Sequence, residues 1–152
     1  MTNRLYESRR TPIDTHYGSC KFCYVSLVIY LNSSTNIVTS ELGLTPSFEQ
    51  NKGQKLTNSR NKTRIAKNTY WLLSSENHIT SKDLRHHLDW LLTQLKTKYS
   101  KLLGLQRQEG VIMAVNCVWW GFGSGGPTLW PEQMAKLADL NLECSFSIYM
   151  DD

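Results

Sequence analysis

No stretch of this sequence is apolar for long enough to cross a bilayer. The longest runs, 25–31 and 111–118, fall far short of the roughly 20 residues a spanning helix needs. The first twenty residues also lack the apolar centre of a secretory leader, since Arg4, Glu7, Arg9 and Arg10 lie where it would be. Cysteine is scarce, and four of them without a visible export signal are expected as free thiols in the cytoplasm, with no bound metal. Excess charge of one sign is small. Seventeen Lys and Arg against thirteen Asp and Glu leave +4, less than a dedicated nucleic-acid binder usually carries. Catalytic signatures are missing too: no serine or cysteine sits in a nucleophile elbow, and no pair of carboxylates frames a glycosidase site. The expectation is a chain that is not an enzyme and takes no cofactor, with no membrane partner.

What is present suffices for one core. At 152 residues with 40% hydrophobic side chains, a single domain is the default. We read an N-terminal arm over 1–20 and one α+β domain over 21–152. Residues 23–31 alternate, with Cys23, Val25, Leu27, Ile29 and Leu31 on one face of a strand. Asn32, Ser33 and Ser34 offer caps to a short helix that Gly43 and Pro46 end. The segment 45–68 is rich in Asn, Lys, Ser, Thr and Gly, and either an edge strand or a long loop fits it. Residues 69–74 read as a buried strand. Thr80 and Asp83 then make a plausible cap for a helix whose Leu84, Leu88, Leu91, Leu92 and Leu95 form one stripe. A strand over 111–119, a glycine-rich turn, a helix opened by Pro131 and a last strand follow, in which Cys144, Phe146, Ile148 and Met150 are expected to be buried. The order predicts a mostly antiparallel sheet with helices packed on one face, specifically a ferredoxin-like arrangement with an extra αβ unit.

Tyr24-Val25-Ser26-Leu27, Val38-Thr39, Leu42-Gly43-Leu44-Thr45-Pro46, Gly53, Trp71, the leucine helix, Leu137-Ala138 and Ile148-Tyr149 together resemble the bacterial family called domain of unknown function 4279, over about 22–150. The resemblance rests on structural residues. It implies a fold and a bacterial source, and it brings the expectation of an immunity protein that neutralises a bacterial toxin. The chain departs from the family in a longer Asn- and Lys-rich insertion after Gly53.

Several patterns carry potential chemistry. His16-x3-Cys20-x2-Cys23 has zinc-like donors but no fourth ligand nearby. Gly121-x-Gly123-x-x-Gly126 matches the dinucleotide fingerprint in letters, yet Pro127 intervenes and the next helix starts too late for its N–H groups to face a phosphate. Asp83, His86, His87 and Asp89 cluster on the long helix, where His87 lies among leucines and reads as structural.

Two surfaces remain for a partner. Lys52, Lys55, Arg60, Lys62, Arg64 and Lys67 follow one another with no acidic residue between them, the largest charge asymmetry in the chain. No aromatic interrupts that run, so base stacking lacks a platform inside it and an acidic protein fits better than RNA. Trp119, Trp120 and Trp130 surround the glycine-rich turn, and tryptophan is a preferred interface anchor. The sequence therefore predicts a non-enzymatic protein-binding domain. The alternatives are a nucleic-acid-associated domain using 51–67, or a small-ligand enzyme at the turn 121–126.

Overall fold

The computed structural model describes residues 10–151; residues 1–9, which hold the first half of the expected arm, and residue 152 lie outside it. The elements run β1 (Cys20–Leu31), α1 (Asn36–Leu42), β2 (Phe48–Gln50), β3 (Lys55–Thr57), β4 (Thr63–Ile65), β5 (Thr69–Ser74), α2 (Leu84–Leu95), α3 (Tyr99–Gln106), β6 (Ile112–Phe122), α4 (Pro131–Asp139) and β7 (Glu143–Asp151). This is the expected α+β class. A five-stranded sheet has the order β2-β5-β1-β6-β7, and β3 with β4 forms a separate two-stranded ribbon.

The alternation in β1 fixes the layers. Its odd-numbered residues meet odd-numbered residues of both neighbours, Ile29 opposite Trp71 and Met113, Leu27 opposite Leu73 and Val115, Val25 opposite Cys117. All of these are buried. Buried residues from all four helices join them in one cluster: Val38 and Leu42 of α1, the leucines of α2, Leu102 and Leu105 of α3, and Leu137 of α4. One face of the sheet is thus covered, and each fully buried leucine contributes about 1.5–3 kcal/mol.

The helix signals act as read, with one shift. Asp83 alone caps α2, accepting from the Arg85 backbone N–H at 3.1 Å, and its five leucines are all buried. Gly43 ends α1 in the left-handed conformation, at φ 63°. At the start of α4, Gln133 Oε1 accepts from the Trp130 N–H at 3.0 Å.

Four differences from the sequence reading have physical reasons. The 45–68 segment is neither a single edge strand nor a loose loop: β2 pairs with β5, and β3–β4 is a hairpin. The helix α3 carried no strong apolar stripe and was not expected. The ferredoxin-like arrangement is not matched, because β6 and β7, joined through α4, pair directly and in parallel instead of being split by another strand. In β7 the expected burial fails. Phe146, Ile148 and Met150 lie on the helix side, opposite Cys117, Trp119 and Gly121, but the strand is the sheet's edge and they remain about half exposed.

Candidate functional site

The other face of the sheet has no helix over it. On it stand the even-numbered residues of β1 and β6 and the odd-numbered residues of β7. Phe22, Tyr30, Phe48, Ile112, Phe122 and Tyr149 are all exposed there, between 40% for Phe48 and 63% for Ile112. They form two aromatic groups. At one end Tyr70 lies between Tyr30 and Phe48, with ring centroids 5.6 Å and 5.4 Å away. At the other, Trp120 is stacked between Phe22 at 5.6 Å and Tyr149 at 4.8 Å, and its Nε1 donates to Asp151 Oδ1 at 2.6 Å. That bond and Lys21 Nζ, 3.1 Å from Asp151 Oδ2, hold the Asp151 carboxyl below its ordinary range. Ser26 and Asn116, cross-strand partners, fill the middle.

The basic run rises beside the first group. Asn58 Oδ1 accepts from the backbone N–H groups of Arg60 and Lys62, at 2.9 Å and 3.0 Å, and this closes the hairpin. Its base is tied to the sheet by Lys52 N–H donating to Thr69 Oγ1 at 2.9 Å and by the buried Gln50, whose Nε2 donates to Asn68 Oδ1 at 2.7 Å. Lys52, Lys55, Arg60, Lys62, Arg64 and Lys67 are all exposed. Between hairpin and sheet lies a concavity of about 500 Å³ lined by Phe48, Leu56, Lys62 and Arg64. A second, about 310 Å³, is lined by Tyr24, Ser26, Phe48, Leu72 and Glu76. Phe48 borders both, so one exposed ring stands between a basic hollow and a mainly apolar one.

The three tryptophans separate. Trp120 belongs to the open face. Trp119 is 1% exposed and packs in the core, because neighbouring strand residues face opposite sides; it is withdrawn from the contact surface. Its six-membered ring lies over Gly121, where any Cβ would fall 2.2 Å from it, so Gly121 is part of β6 and serves packing. Trp130 is a clamp: its ring stacks on the Arg85 guanidinium at 5.1 Å and its Nε1 donates to Thr11 O at 3.2 Å. Arg85 in turn donates to Thr11 O, Pro12 O and both oxygens of buried Asp83, fixing the arm where it enters the domain. Burial pushes the Asp83 carboxyl up, but the bonds from Arg85 and the Asp14 N–H outweigh it and hold it below its usual range.

The remaining patterns give no assembled reaction centre among the described residues. No three His, Cys, Asp or Glu side chains gather there as metal ligands. The cavity beside the glycine-rich turn, about 350 Å³, is lined by Tyr17, Lys82, Asp83, Trp119 and Pro127 with no Ser, Cys or His, and its carboxylate Asp83 is engaged by Arg85. Ser75 and His87 do form a hydrogen-bonded pair, at 2.7 Å, but both are buried in the core. Cys117 and Cys144 bring their Sγ atoms to 3.6 Å as free thiols. No described helix is long and apolar enough to cross a membrane.

Sequence reading found the basic run and Trp120 but missed Phe22, Tyr30, Phe48, Tyr70 and Tyr149. The available signal was the second face of β1, where Phe22, Tyr24 and Tyr30 recur at even positions. No curated protein and no solved structure matches the chain. The model of one family does match, over residues 20–151, from the first residue of β1 to the last of β7. The chain belongs to the family described as Domain of unknown function (DUF4279).

Proposed function

We propose that the chain is a non-enzymatic protein-binding domain that uses the uncovered sheet face and the basic hairpin as one contact surface. The observation that carries this reading is Phe48, an exposed ring between two hollows, with Lys62 and Arg64 on one side and apolar Leu72 on the other. Aromatic anchors in small depressions, rimmed by charge, are how protein interfaces concentrate their affinity. The partner this reading names is a protein with an acidic rim and an apolar centre. A bacterial toxin domain neutralised by this chain in the cytoplasm is the form that the immunity expectation gives it. The test is kinetic. Lys62→Glu with Arg64→Glu slows association about tenfold or more at low salt and flattens its salt dependence, with melting temperature unchanged. Unaltered association would remove the hairpin from the interface.

A second reading has its own support. Tyr30, Tyr70 and Phe48 supply beside the hairpin the aromatic platform that the basic run itself lacks, and rings next to Lys and Arg also suit single-stranded nucleic acid. Fluorescence anisotropy with a labelled single strand separates the two. Binding lost on Tyr70→Ala, with a log-log salt slope that the double reversal reduces by up to about two units, favours nucleic acid.

A further inference from the structure

Strand β7 pairs with β6 and has no described strand on its other side. It runs for nine residues, Glu143–Asp151, with no Pro, no Gly and no charge between its two ends. Such edges are normally blunted by lysine, proline, a bulge or an inward charge, because the free row of N–H and C=O groups recruits another strand. None of these devices is here. The strand's covered-side residues are apolar, but the helices do not reach them: Phe146, Ile148 and Met150 are 45%, 47% and 47% exposed, and Met134 on α4 is 50% exposed. The residue pattern is that of a strand with one buried face, and the monomer does not bury it.

We propose that a second copy of this chain covers β7, the two strands pairing antiparallel about a two-fold axis so that both sheets become one. Three features favour a second copy over another protein. The open backbone row calls for a strand, and the chain's own edge supplies one of the same length. Two-fold antiparallel pairing sets residues of like parity opposite each other, so the apolar side of one copy continues into the apolar side of the other and serines face serine or tyrosine. With full overlap the axis passes at Ser147, and Phe146 lies across from Ile148 of the second copy, an aromatic with a β-branched residue. Charge agrees as well. Glu143 and Asp151 sit at opposite ends, the central seven residues meet without any charge, and Glu143 of one copy arrives beside the Asp151 of the other that Lys21 already engages at 3.1 Å.

The inference uses a different surface from the open sheet face and stands or falls separately. Light scattering on the full chain is expected to give twice 17.5 kDa at high concentration, falling to the single mass on dilution. Ile148→Lys, an inward charge on the edge, is expected to give the single mass throughout with an unchanged circular dichroism spectrum. Amide exchange of residues 143–151 in the wild type provides a second readout, independent of whether the variant folds, and is expected to slow as protein concentration rises. A single mass at every concentration, or exchange of β7 indifferent to concentration, overturns the proposal; so does a dimer that persists in folded Ile148→Lys.

Discussion

Ser75 Oγ lies 2.7 Å from His87 Nδ1, and both side chains are sealed inside the core. His87 Nε2 lies 2.7 Å from the carbonyl of Ser81, which only accepts, so Nε2 carries the proton and Nδ1 receives the Ser75 hydroxyl. Ser75 Oγ accepts from the Val25 N–H at 3.0 Å. The pair has the hydrogen bond of a nucleophile and its base, yet it joins β1, the end of β5 and α2, and its work is structural.

This fixes a pH dependence. Burial, the larger influence, depresses the His87 pKa against the opposing bond to Ser81. Above pH about 6.5 the imidazole is neutral in both folded and unfolded chains and its contribution is constant. Below that the unfolded chain takes up the proton first, so stability falls, by up to about 1.4 kcal/mol per unit, until the depressed folded value is reached. Denaturant melts of wild type and His87→Gln between pH 7 and 5 check it: the variant loses this part of the slope. Ser75→Ala costs about 1–3 kcal/mol at neutral pH by stranding buried partners.

The core and the edge strand respond differently. Leu91 is fully buried in α2, and Leu91→Ala is expected to cost about 2–5 kcal/mol in a urea melt. Phe146→Ala is expected to cost under about 1 kcal/mol at low protein concentration, since the ring is half exposed. Equal losses at both sites would mean that β7 is covered within the monomer.

How far the sequence carried follows from the same contrast. Alternation identified β1, β6 and β7, and the leucine spacing identified α2, because those patterns depend only on the chain's own period. Burial of Phe146 was not legible, as period says which residues share a face but not whether a helix reaches that face. The hairpin was hidden because β3 and β4 have three residues each, too few to show a period, and its closure rests on the Asn58 side chain. In α3, Gly104 and a weak stripe hid a helix that still buries Leu102 and Leu105. The aromatic groups needed strand register: Phe48, Tyr70 and Tyr30 come from three strands that only the sheet order brings side by side.

The thiols give a chemical readout. Cys144, half-buried on the edge strand, has its pKa lowered by the hydrogen bond from Cys117, while that bond and burial push Cys117 up. Burial raises Cys20 and Cys23. Thiolate is the reactive form. Alkylation of the native protein near neutral pH, followed by peptide mass spectrometry, is expected to modify Cys144 well before the other three; simultaneous labelling of all four would show that the core opens.

The central claim is that the open sheet face and its hairpin hold a protein. The most direct measurement is capture on immobilised chain from cells that carry the gene, comparing wild type with a Phe48→Ala, Lys62→Glu, Arg64→Glu variant of equal melting temperature, with and without nuclease. The account predicts a stoichiometric protein retained by the wild type, unaffected by nuclease and lost from the variant. Retention that nuclease abolishes, or equal retention by both chains, would contradict it.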